Sequence, residues 1–161
     1  MHVMRGMMER LKLTVNERKT RICRVPGETF GFLGYTIGEC YSFRRKSSYL
    51  GMRPAKKAVQ RICRAISEMT SRRWVWLPEE DMVRDINQRL AGWANYFQLG
   101  SVGKAYYAVD RHTTYRLRKW LQRKHKLGRR GLARFSYTYL YQTLGLIRLP
   151  LLPRLLPWAK A

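Results

Sequence analysis

Acid is what this chain has least of. Ten Asp and Glu stand against thirty-three Lys and Arg in 161 residues, a net charge of +23, and an excess of that size calls for a polyanionic partner. Cysteine is scarce as well. Cys23, Cys40 and Cys63 are odd in number, at spacings of 17 and 23, with no Cys-x-x-Cys pair and no histidine at a zinc-finger interval. That argues against a metal site and for small, buried, reduced thiols in a cytoplasmic protein. A long apolar run is missing too. Met1 to Leu13 carries Arg5, Glu9, Arg10 and Lys12 and has no signal-peptide core, and Leu144 to Trp158 is cut by Arg148, Arg154, Pro150, Pro153 and Pro157. Neither segment reads as a membrane anchor, so no membrane partner is expected. Internal repeats and low-complexity tracts are absent, and the glycines at 27, 31, 34 and 38 lack the Lys-Ser/Thr of a nucleotide phosphate loop.

What the chain does contain is aromatic. Five Trp, ten Tyr and five Phe supply burial units that a disordered basic tail does not have, so a folded module is expected despite the charge. The charge is also segregated. Residues 104–134 hold eleven Lys and Arg and one acid, Asp110, whereas residues 77–103 hold only Arg84 and Arg89 against Glu79, Glu80, Asp81 and Asp85.

Periodicity divides the chain into three parts. In residues 1–51, Val3, Met7, Met8 and Leu11 repeat at helical intervals, Lys19 to Val25 alternates as a strand, and Thr29 to Gly38 reads as a hairpin after the Pro26-Gly27 turn. Arg44 to Ser48 reads as a basic connector. In residues 52–127, Pro54 opens a helix whose apolar face is Val59, Ile62, Cys63, Ile66 and Met69; a second helix runs from Pro78 to about Leu99 with Met82, Ile86, Leu90, Trp93 and Phe97 as its stripe. A third runs from about Lys104 to Lys126, with Val109, Thr113, Leu117, Trp120 and Leu121 inward. The expected fold is mainly α: an antiparallel three-helix bundle, preceded by a helix and small hairpin and followed by a short helical, Pro-rich tail over residues 128–161. Trp93 and Trp120 are expected in its core.

Basic residues recur on one face of the first helix at Lys57, Arg61 and Arg64, and on the third at Arg116, Lys119, Arg123 and Lys126, followed by Arg129 and Arg130. Interleaved with tyrosine and tryptophan, they are the candidate nucleic-acid contacts, and the acidic second helix is expected to turn away from them or to dock on another protein surface. No catalytic constellation is visible. Glu79-Glu80-Asp81 with Asp85 sit where a helix N-terminus favours acid, and consecutive helical residues diverge, so they do not read as a two-metal site. Asp110 and His112 lie on different faces, and His125 is placed to meet phosphate or solvent.

Several segments have a family likeness. Leu11 to Thr20, then Phe30-Gly31-Phe32-Leu33-Gly34-Tyr35, resembles the end of the palm in group II intron-encoded reverse transcriptases, and Leu90-Ala91-Gly92-Trp93-Ala94-Asn95-Tyr96-Phe97 resembles the hallmark of their maturase-specific thumb. Leu117 to His125 and the closing Leu144 to Ala161 are similar to the rest of that thumb and to the tail of members lacking an appended HNH endonuclease. The resemblance spans essentially the whole chain, with its motifs in the family's order. It implies an RNA-binding maturase module that supports intron splicing and grips template and primer, with structured group II intron RNA as partner and template-primer or target DNA as further ligands. It also implies that Phe32, Leu33, Gly34 and Tyr35 help position the primer end. The family's Tyr/Phe-Ala-Asp-Asp signature has no counterpart here, so no cofactor is expected in this chain; Mg2+ belongs to a complete reverse transcriptase.

Three origins fit that departure: an expressed fragment, a degenerate remnant, or one piece of a split enzyme, and the methionines at 1, 4, 7 and 8 within a palm-like helix favour truncation. Two competing readings stand beside the binding module. One is the C-terminal piece of a polymerase active only with a fingers-palm chain; the other is a general basic architectural protein.

Overall fold

The computed structural model describes residues 2–12, 14, 23–25, 27–42, 45–128 and 134–152. The chain is mainly helical, with one small antiparallel sheet. Helix α1 spans His2–Arg10. Strands β1 (Phe30–Phe32), β2 (Tyr35–Ser42) and β3 (Ser47–Pro54) form the sheet in the order β1-β2-β3. The hairpin expected over residues 29–38 is present, with Phe30 opposite Ile37 and Phe32 opposite Tyr35.

Three expectations around it are corrected. Residues 47 and 48, read as part of a connector, open β3, which pairs with β2 from Ser42–Ser47 to Tyr35–Pro54. β3 has no alternation to read because Ser47 to Leu50, polar and apolar alike, are all exposed along an edge strand. Pro54 closes this strand instead of opening a helix, a position where its missing N–H is tolerated. Of the strand expected at 19–25, residues 19–22 lie outside the described residues, and Cys23 to Val25 are not a strand: the Glu28 amide donates to the Arg24 carbonyl at 2.8 Å, closing a turn.

Helices α2 (Lys56–Met69), α3 (Glu79–Tyr96) and α4 (Gly103–Lys124) follow. Pro78 is the N-cap of α3, and Glu79, Glu80 and Asp81 fill its first turn, where the helix dipole favours negative charge. Ile62 and Ile66 of α2, Met82, Ile86 and Leu90 of α3, and Val109, Leu117, Trp120 and Leu121 of α4 share one buried core. α3 and α4 run in opposite directions. The Tyr106 hydroxyl donates to the Ala94 carbonyl at 3.0 Å near one end, and His125 meets Glu79 at 2.6 Å at the other. α2 and α4 run the same way, with Ser67 beside His112 and Thr70 beside Arg116.

The C-terminal segment closes the core from the α4 side. Phe135, Leu140, Leu146 and Leu149 join the cluster, through a π-helical turn at Tyr139–Thr143 and a 3-10 turn at Leu149–Leu151. Two polar residues pin it. Asn87 donates to the Gly145 carbonyl and accepts from the Ile147 amide, both at 2.8 Å. Asp110, the lone acid of the basic run, accepts from the Tyr141 hydroxyl at 2.7 Å and the Leu149 amide at 3.3 Å. No helix among the described residues is long and apolar enough to cross a membrane.

Candidate nucleic-acid interface

The sheet and the helices meet at the C-terminal end of α3. Leu33 and Gly34, at the tip of the β1–β2 hairpin, have φ of 46° and 78°, the paired left-handed geometry of a two-residue hairpin turn. Glycine takes that conformation without strain, but leucine does not. The Leu33 carbonyl is held by the Tyr96 hydroxyl at 2.9 Å, while the Tyr35 hydroxyl donates to the Tyr96 carbonyl at 2.7 Å. Tyr35 is buried against Tyr96 and Phe97, and its burial raises the phenol's pKa. Gly100 locks the other strand. Its φ is 74°, and a Cβ there would collide with the Met52 carbonyl oxygen. Phe32 and Leu33 remain 60% and 66% exposed, so a strained apolar tip is held out toward solvent.

That tip stands at the mouth of a groove of about 1540 Å³ between α2 and α3. Lys57 and Arg61 line it from α2, Arg73 from the following turn, and Arg89 from α3, above a floor that includes Ile62, Met69 and Met82. All four hairpin residues, Phe32, Leu33, Gly34 and Tyr35, line it as well. The structure thus joins two groups of candidate residues that lie more than twenty positions apart in the chain.

The remaining candidates divide. Arg64 is exposed and lies three residues before Ser67, on the side of α2 that looks toward α4. Arg116 is half-buried, and its guanidinium donates from Nε to Thr70 Oγ1 at 3.1 Å and from Nη2 to the Ser67 carbonyl at 2.7 Å. It caps the C-terminus of α2, where unpaired carbonyls favour a cation. Lys119 lies over the Tyr115 ring at 4.8 Å. Lys124, in the same run, donates to the Val75 and Leu77 carbonyls at 3.2 and 2.7 Å. Arg123 and Lys126 are exposed, whereas Arg129 and Arg130 lie outside the described residues.

The charge segregation read from the sequence is not how the surfaces divide. α3 does not turn its back: Asp85, Gln88 and Arg89 line the same groove as Lys57 and Arg61. His125, assigned to phosphate or solvent, instead pairs with Glu79 Oε1 at 2.6 Å, and Glu79 Oε2 faces the Tyr139 hydroxyl at 3.4 Å. Trp120 is fully buried and donates from Nε1 to the Trp74 carbonyl at 3.2 Å, but Trp93 is only partly buried and forms groove wall.

Three of these carboxylates have partners within the fold. Glu79 is engaged through both oxygens, Asp110 likewise, and Asp81 pairs with Arg84 at 2.7 Å. No group of three or more His, Cys, Asp or Glu among the described residues is placed to hold a metal ion.

Two features sequence reasoning missed are Tyr96, whose hydroxyl fixes the hairpin tip, and Arg89, the α3 cation of the groove. The periodicity of α3 places both outside its apolar stripe, which was the available signal. His112 is turned toward Ser67 at 2.9 Å, and its pKa is lowered by burial, with Arg116 adding to the effect.

A basic helical domain with a rigid hairpin at the mouth of a cationic groove is the class this geometry defines. Residues 59–137 match the family model for the group II intron, maturase-specific domain, a match that supports a group II intron maturase module involved in splicing. No curated protein matches the chain.

Proposed function

We propose that the α2–α3 groove is the surface by which this maturase module grips structured intron RNA. Lys57, Arg61, Arg73 and Arg89 supply cations spaced along a concave wall, as a sugar-phosphate backbone requires, and Phe32 and Leu33 offer an apolar edge against which an end or an unpaired base can abut. The observation that carries the reading is the convergence of the strained hairpin tip with those cations in one groove. Arg64, Lys119, Arg123 and Lys126 extend the electrostatic field along neighbouring surfaces, and Arg129 and Arg130 add to the positive charge of the chain, while Arg116 positions α2 rather than RNA.

In this reading residues 52–127 act as a three-helix thumb, residues 1–51 as the end of a palm, and 128–161 as a tail, in the cytoplasm. A fingers-palm chain, which would bring the magnesium-binding acids, and template-primer or target DNA are the further partners. Met7 and Leu11, four residues apart near the end of α1 and 61% and 66% exposed, are the apolar surface such a chain would cover. Affinity for folded group II intron RNA, measured beside a perfect duplex of equal length, tests the proposal. Preference for the intron RNA supports it, and equal affinity marks a general basic protein.

A further inference from the structure

A second crevice, of about 700 Å³, lies between α4 and the C-terminal segment and shares no lining residue with the α2–α3 groove. Tyr107 and Arg111 line it from α4, and Tyr137, Tyr141 and Arg148 from the segment. Tyr107 and Tyr137 are 65% and 56% exposed. The rings and cations form a file: the Arg118 guanidinium lies over Tyr137 at 5.5 Å, Tyr137 stacks on Tyr141 with planes 16° apart, and Arg148 lies over Tyr141 at 5.5 Å. Among the described residues that line the crevice the only acid is Asp110, and both of its oxygens are engaged, by Tyr141 and by the Leu149 amide.

We propose that this crevice is a binding site for single-stranded RNA, taking an unpaired base onto the Tyr107 ring and against the exposed edge of Tyr137, with the flanking phosphates on Arg111 and Arg148. The exposed Tyr107 phenol gives a base a π-face at low conformational cost, and the guanidinium groups along the crevice give the backbone its counter-charge. Acid that would repel phosphate is turned inward. The file is held from below by the Tyr141–Asp110 bond, so the surface is set before any ligand arrives. The inference rests on the RNA-binding reading of the module but places a different kind of strand on a different face: paired backbone in the α2–α3 groove, unpaired bases here.

Fluorescence anisotropy on the full chain with a labelled 12-nucleotide oligouridylate, beside folded group II intron RNA, separates the two faces. Tyr107→Ala with Tyr137→Ala is expected to weaken oligouridylate binding by about tenfold or more, while Tyr107→Phe with Tyr137→Phe leaves it within about twofold. Substituting 5-bromouridine into the strand is expected to give photo-crosslinks to Tyr107 or Tyr137. Unchanged oligouridylate affinity in the Ala pair overturns the site while leaving the groove proposal standing if intron RNA still binds. Phe variants as weak as the Ala variants, crosslinks confined to other residues, or displacement by polyglutamate as effective as by unlabelled oligouridylate would each overturn it as well. Failure of the parent chain to bind either RNA removes both proposals.

Discussion

The Tyr96 hydroxyl donates to the Leu33 carbonyl at 2.9 Å, so a side chain at the end of α3 holds a leucine in the left-handed backbone region at the tip of the hairpin. Removing the hydroxyl leaves the stack on Tyr35 and the edge contact with Phe97 in place and takes away only the restraint. Tyr96→Phe is expected to cost about 0.5–1.5 kcal/mol in urea unfolding. Faster amide exchange localised to residues 33–36 would accompany it.

Gly100 gives a sharper test of the same junction. A methyl group there would collide with the Met52 carbonyl oxygen while sitting at φ 74°, and the Ser101 amide bond to that carbonyl, at 2.8 Å, depends on the same geometry. Gly100→Ala is expected to destabilise by more than about 1 kcal/mol, read as a lower urea midpoint. An unchanged midpoint would mean the sheet is not anchored through this turn.

Arg116 separates a structural cation from an RNA contact. With its guanidinium bonded to Thr70 and Ser67, Arg116→Gln is expected to lower stability by about 1–3 kcal/mol while leaving the salt dependence of RNA binding as it was.

Trp120 and Trp93 should differ in kind. Trp120 is 0% exposed, and Trp120→Ala is expected to cost about 3–5 kcal/mol. Trp93 is half-buried in the groove wall, 5.1 Å from Phe97 and 5.7 Å from Tyr106 between ring centres. Its replacement by Ala is expected to cost less, with the loss visible in RNA affinity as well as in melting.

His112 makes stability depend on pH. Burial and Arg116 lower its folded pKa below the ordinary 6.5, so the unfolded chain takes up the proton first as pH falls. Its contribution is therefore intact above 6.5 and declines as pH drops through 6.5 toward the lower folded value. The fall in urea stability between pH 7.5 and pH 5 is expected to be smaller in His112→Gln than in the parent.

Much of this architecture was legible in the sequence. The stripes of α2, α3 and α4 sit where their periods placed them because burial of Ile66, Ile86 and Leu117 is a property of spacing, and the hairpin followed from the aromatic and β-branched run, punctuated by glycine, after Pro26-Gly27. β3 was not legible, since an edge strand exposed at Ser47 to Leu50 carries no alternation. The site was half legible. Spacing puts Lys57, Arg61 and Arg116 on helix faces, but it does not say that one long side chain reaches back to a neighbouring helix end while two others face a groove. The pairing of His125 with Glu79 was hidden for the same reason: both ends of a contact spanning α3 and α4 had local explanations of their own.

The central claim is that the α2–α3 groove holds the phosphates. Affinity for folded group II intron RNA, titrated across salt with Lys57→Gln/Arg61→Gln beside Arg84→Gln, whose guanidinium already pairs with Asp81, tests it most directly. The account predicts that the double variant keeps its stability and flattens the slope of log affinity against log salt by about 1.4–1.8, two contacts at about 0.7–0.9 each, with little change for Arg84→Gln. An unaltered slope in the double variant would contradict it.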